Sequence, residues 1–127
     1  MDALRRALGA LSCLYALIFF SFALSHAGIG LFPLGEPVIV PAAIVETLCG
    51  GAVLAGAYGA LTGREWAWDG LIYTHAGALA GVLLGIVAVA LGAANEVTGL
   101  LMWYHGIMAT ALAAGLAGSF YVSRVRR

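Results

Sequence analysis

Four side chains in this 127-residue sequence could do chemistry in an otherwise apolar setting: Glu46, His26, His75 and His105. Glu46 stands in Ala42-Ala-Ile-Val-Glu46-Thr-Leu-Cys-Gly50-Gly-Ala-Val-Leu, a run long enough to cross a bilayer and otherwise uncharged. A charged carboxylate at the centre of a membrane helix costs about 2.5–3.5 kcal/mol on the insertion scale, so it must find a partner, keep its proton or face water. Such a residue marks a functional site by default. A carboxyl beside an imidazole can hold one proton in two places, which suits proton handling or the binding of a polar headgroup such as a quinone carbonyl. The same pair can also do no more than satisfy itself and fix the register of two helices.

Depth along the helices ranks the partners. At a rise of about 1.5 Å per residue, Glu46 lies about 12 Å and His105 about 8 Å from the outer membrane border, and His75 about 6 Å from the inner one. His105 is the best match for Glu46 on this count, and His75 needs intervening water or a shifted helix boundary. His26, at the outer end of its helix, reaches only a neighbour near the surface. Glu46, His75 and His105 are therefore the expected proton-handling or ligand-binding residues. No two of the histidines and carboxylates stand at i, i+3 or i, i+4 on one helix as a metal motif requires, so neither a metal nor haem is expected. Cys13 and Cys49 lie inside apolar segments without C-x-x-C spacing and read as small packing residues. No nucleophilic triad or phosphate-cradling glycine motif is identifiable, so the sequence names no catalytic residue and leaves open whether the protein is an enzyme.

The elements that must position these groups are membrane helices. Hydrophobic residues make up 63% of the chain and charged residues 9%, against about 45–50% and about 25% in a soluble domain. A soluble bundle would keep one charged face per helix, whereas here the apolar character runs all the way round. Four apolar segments are predicted over residues 8–27, 38–61, 71–93 and 100–122. With about 20 residues needed per crossing they nearly exhaust the chain, leaving one transmembrane domain over 1–127 and no soluble one. Short connections make neighbouring helices antiparallel, so the expected fold is an all-α, integral membrane four-helix bundle. Arg5-Arg6 followed by an apolar stretch superficially resembles a cleaved secretory signal, but the run exceeds a signal core of about 7–15 residues, and the segment reads as retained.

All six basic residues, Arg5, Arg6, Arg64, Arg124, Arg126 and Arg127, fall on one side of such a bundle, and the opposite connections carry only Glu36 and Glu96. The positive-inside rule then puts both termini in the cytoplasm and the protein in the cell inner (plasma) membrane. With zero net charge and no lysine, no basic groove suggests nucleic acid. Trp66, Trp68, Tyr73, Phe120 and Tyr121 near one border, and Trp103 and Tyr104 near the other, read as interfacial anchors.

Small residues supply the packing surfaces. Gly77, Gly81 and Gly85 recur every four residues, as do Gly106, Thr110, Ala114 and Gly118, and Glu46 shares the small-residue face of its helix with Ala42, Ala43 and Gly50. Such ridges allow close backbone approach between membrane helices, within the bundle or between copies of the chain. Gly50, Gly51, Gly77, Gly81, Gly85, Gly106 and Gly118 are the expected packing glycines, and the face they share should turn Glu46 into the bundle.

The stretch Val45-Glu46-Thr-Leu-Cys-Gly50-Gly51-Ala-Val-Leu54-Ala-Gly56-Ala-Tyr-Gly-Ala-Leu61-Thr62-Gly-Arg64 resembles the second membrane helix of the DoxX-like family, in which a Glu is followed by a glycine pair, an apolar run, and a Thr and Arg at the cytoplasmic turn. The resemblance implies a small four-helix membrane protein linked to oxidative stress, sulfur metabolism or quinone-coupled electron transfer, with Glu46, Gly50 and Gly51 as the positions carried over. Three functions stay open: a membrane component of a redox, quinone-linked or stress-associated system, with a quinone or another membrane protein as ligand; a proton-coupled small-solute transporter or channel acting as a homo-oligomer; and a non-catalytic scaffold.

Overall fold

In the computed structural model, which describes residues 2–30, 36–93 and 98–125, the chain forms four long helices in an antiparallel up-and-down arrangement. They are α1 (Asp2–His26), α2 (Val40–Thr62), α3 (Ala67–Ala90) and α4 (Gly99–Val125). All four are long and apolar enough to cross a membrane, since about 20 residues span the hydrocarbon core. By composition this is a multi-pass membrane protein. Arg5, Arg6, Arg64 and Arg124 share one end of the bundle, the arginine end; the α1–α2 and α3–α4 connections lie at the far end. Glu96, Arg126 and Arg127 lie outside the described residues.

The helix boundaries depart from the apolar runs where polar residues still suit a helix. α1 starts at Asp2, six residues before the expected position 8, because a helix continues past the apolar stretch when its extra turn holds good helix formers and an acidic first residue. α3 likewise starts early, at Ala67, with Asp69 in its first turn, and stops at Ala90 ahead of Gly92, whose φ of +83° a side chain would resist. Pro41 opens α2 at a position where its missing N–H costs nothing. Gly63 closes α2 in the left-handed conformation with its N–H on the Gly59 carbonyl.

Successive helices pack against one another around a core of Ala16, Phe19, Val53, Ala78, Val82, Leu101, Met108 and Leu112. Leucines such as Leu17, Leu48 and Leu84 point outward, the two-sided apolar pattern of helices that face lipid as well as each other. At the arginine end the helices touch closely. A Cβ on Gly56 would fall 2.4 Å from Thr74 Oγ1 and 3.3 Å from the Gly70 carbonyl, and one on Gly59 would strike the Trp66 ring. Arg5 donates to the Ala60 carbonyl and ties the start of α1 to the end of α2, while Arg64 bonds the Tyr58 hydroxyl at 2.6 Å.

The packing glycines divide. A Cβ on Gly50 would meet the Phe20 ring at 2.9 Å, one on Gly81 would meet Cys49 Sγ at 2.6 Å, and one on Gly85 would meet His105 Nε2 at 2.6 Å. At Gly51, Gly77, Gly106 and Gly118 a Cβ would meet nothing within 4 Å. On α4 the glycine held against another helix of the chain is Gly115, where a Cβ would lie 2.7 Å from the His75 ring. The Gly106–Gly118 ridge is rotated away from the neighbours, because the buried α4 residues Leu101, Tyr104, Met108, Leu112, Gly115, Ser119 and Val122 define a different stripe.

Candidate functional site

Glu46 lies in the second turn of α2 and points into the bundle, 6% exposed. Its partner is His26, the last residue of α1: the imidazole Nδ1 is 2.8 Å from Glu46 Oε2, and His26 is 1% exposed. This replaces the expected pairing with His105. Depth along the axis misleads because helical side chains lean toward the N-terminus of their own helix. α1 ends at the far end, so the His26 ring hangs back into the bundle; α2 begins there, so the Glu46 carboxyl reaches up toward it. The two leanings close the gap that counting residues had left.

The same rule places the other histidines. His75, on a helix that begins at the arginine end, leans away from Glu46 and holds the Leu71 carbonyl through Nδ1 at 2.8 Å. It packs against Gly115 and edge-on to Tyr15, 6.0 Å between centroids, outside the Glu46 cavity. His105 leans toward the far end and holds the Leu101 carbonyl through Nδ1 at 2.9 Å. A carbonyl only accepts, so Nδ1 carries the proton in both rings and neutral Nε2 is left as an acceptor.

A cavity of about 540 Å³ opens beside the pair, between the far-end halves of α2, α3 and α4. His26, Glu46, Tyr104 and His105 line it together with Phe19, Cys49, Val82 and Leu101. Tyr104 is a site residue and no interfacial anchor: it is buried, stacked on Phe22 at 3.8 Å with 12° between the planes, and edge-on to Phe19. Its hydroxyl faces the Glu46 carboxylate without a hydrogen bond of normal geometry. Two wholly buried polar atoms of cavity-lining residues, His26 Nε2 and Tyr104 Oη, thus have no protein partner among the described residues. Cys49, one turn below Glu46, adds a thiol whose Sγ is 4.0 Å from the Ala78 carbonyl. Among the described residues no group of three His, Cys, Asp or Glu side chains is placed to hold a metal ion.

The far end is stapled over the pair. The Ile39 N–H donates to the His26 carbonyl at 2.9 Å and the Glu36 N–H to Ser25 Oγ at 3.3 Å. Thr98 then donates to the Glu36 carboxylate at 2.9 Å while accepting from the Leu101 N–H at 3.0 Å, which caps α4. Glu36, which the sequence offers only as a connection charge, is the clasp between the α1–α2 connection and α4.

The 2.8 Å contact lets the imidazole and the carboxyl hold one proton between them, on Nδ1 or on the carboxylate oxygen. The Tyr104 hydroxyl, which can donate or accept, adds a third polar group at this end of the cavity.

Depth counting passed over His26, and the rule for interfacial aromatics passed over Tyr104. One signal for His26 was present: Phe19, Phe22 and His26 fall at i, i+3 and i+7, one face of α1, and Phe22 and His26 stay in ring contact at 6.2 Å. No protein-family model matches the sequence, and no curated protein or solved structure is found to be similar to it. No match supports the expected resemblance to the DoxX-like family.

Proposed function

We propose that the protein is a membrane component of a redox or stress-associated system and that it binds a quinone-type ring in the cavity headed by His26 and Glu46. The observation that supports this best is the pairing of an apolar cavity with a convergent polar end. About 540 Å³ falls in the range of about 300–1,000 Å³ typical of sites for small organic ligands, which join apolar walls to a few placed polar groups. A ring oxygen would meet the polar end of the cavity, where His26 Nε2 and the Tyr104 hydroxyl are buried atoms of lining residues without a protein partner among the described residues. In this reading the protein holds the ring and its proton, and a redox partner in the membrane exchanges the electrons. His105 is the further acceptor on the wall; His75 acts in packing at the arginine end.

The same proposal sets the arginine end in the cytoplasm of the cell inner membrane, because Arg5, Arg6, Arg64 and Arg124 gather there. A second reading, a proton-coupled transporter or channel built as a homo-oligomer, draws on the unopposed glycines Gly51, Gly77, Gly106 and Gly118, which would let copies approach closely.

Native mass spectrometry from a mild detergent, with organic extraction of the same sample, separates these readings. A retained quinone supports the first, and a bare homo-oligomer supports the second. A bare monomer in which Glu46→Gln alters stability alone would leave a scaffold. In cells lacking the native protein, Glu46→Gln should fail to complement, because it keeps the shape and an acceptor for the imidazole N–H but loses the titratable charge; full complementation would rule out a proton role.

A further inference from the structure

The cavity has two possible ways in, along the axis from the far end or sideways from the bilayer, and its walls differ sharply between them. Toward the far end, the Ile39–His26 and Glu36–Ser25 bonds and the Glu36–Thr98 clasp lie over the pair, and His26 is 1% exposed beneath them. Toward the side, residues of α2 and α3 that line the cavity also form the outer surface: Leu84 is 67% exposed and Val40 59%, with Val45 exposed beside them. Val45 on α2 and Leu84 on α3 lie about 8–9 Å in from the helix ends at 1.5 Å per residue, so the exposed wall extends to membrane depth. The lower limit of the opening is Gly81. There a Cβ would strike Cys49 Sγ and approach Val45 Cγ1 at 3.4 Å, and below it Gly56 and Gly59 hold α2 against the start of α3. The two helices touch at the arginine end and diverge beyond Gly81, leaving an apolar slot with polar groups only at its inner end.

We propose that the cavity is loaded sideways, through this α2–α3 slot, from the leaflet at the far end of the bundle, and that its ligand is a tailed amphiphile whose long apolar chain stays in the slot while its ring meets His26 and Tyr104. The inference deepens the reading of the cavity as a quinone site and adds the route and the tail. A chain lying along Val40, Val45 and Leu84 meets only hydrocarbon and needs no polar group desolvated, whereas the stapled route requires backbone and side-chain hydrogen bonds to open, each an interaction that costs free energy to leave unmade.

The slot is tested without assuming the ring. The protein is reconstituted in phosphatidylcholine vesicles containing phosphatidylcholine with a diazirine in one acyl chain, irradiated, and its adducts mapped by mass spectrometry. Adducts are expected on the buried cavity walls Val82 and Leu101 as well as on Leu84. Leu84→Trp, which narrows the slot, should cut the Val82 and Leu101 adducts at least about fivefold, while Leu17→Trp on the outer face of α1 should leave them at the native level. Adducts confined to outward-facing residues, or wall adducts indifferent to Leu84→Trp, overturn the slot. Binding of a benzoquinone with and without a decyl chain then tests the tail. A chain that tightens binding at least about tenfold in the native protein but not in Leu84→Trp supports it, and equal binding of the two overturns it with the ring reading intact. If neither quinone binds, the ring reading fails, and the wall adducts still decide the slot.

Discussion

His26 and His75 are both 1% exposed, both leave Nε2 without a protein partner among the described residues, and are put to opposite uses. His75, at the arginine end, spends its Nδ1 proton on a carbonyl of its own helix and fills the space that Gly115 vacates. His26, at the far end, faces a carboxylate from another helix and a cavity. The difference lies in how far apart the helices stand. Where Gly56, Gly59 and Gly115 leave space that a neighbouring backbone or side chain fills, the buried imidazole packs against a glycine. Where α2 and α3 diverge, the same side chain becomes the polar end of a pocket. A buried histidine therefore takes its role from the space around it as much as from its partner.

The largest effect is expected from spoiling the close half. Gly56→Val would push into Thr74 and the Gly70 backbone, and it should lower stability by about 3 kcal/mol, at the upper end of the overpacking range; unfolding in mixed micelles measures it. If Gly56→Val is tolerated, the arginine end is less tightly built than its contacts indicate, and the contrast between the halves weakens.

A smaller loss is expected at the far end. His26→Ala should cost about 1–2 kcal/mol, as interhelical hydrogen bonds in membranes do. A double-mutant cycle with Glu46→Ala, which removes the acceptor, should return most of that loss as coupling. Coupling near zero would mean that the 2.8 Å contact contributes nothing to the fold.

Tyr104→Phe sharpens the comparison further, because it separates stability from binding. Removing a buried hydroxyl that has no protein partner among the described residues should leave stability unchanged or raised by up to about 1 kcal/mol, while ligand affinity falls about fivefold through the lost hydrogen bond. Loss of both would make Tyr104 a packing residue like those at the arginine end. The smallest effect is expected from Gly106→Ala, which meets open space and should change monomer stability by less than about 0.5 kcal/mol. Analytical ultracentrifugation of the same variant reads whether that face joins two copies.

The number of helices, their span and their antiparallel order were legible in the sequence because each depends on a local property: an apolar run of sufficient length ended by Gly, Pro or charge. The burial of Glu46 was legible for the same reason, from the small residues that share its face. Gly50, Gly81 and Gly85 stand at close contacts, while Gly106 and Gly118 do not, since periodicity finds a smooth ridge without saying what lies opposite it.

What the sequence by itself determined is therefore a set of four membrane-length helices with one carboxyl turned inward, written in hydropathy and small-residue spacing. Only the tertiary structure decided that His26 meets Glu46, that Tyr104 is buried against Phe22, and that α2 and α3 part above Gly81 to leave a cavity. Those facts depend on the direction in which side chains lean and on the angle at which helices cross. Both are set jointly by residues distant in sequence, and no single helix carries them.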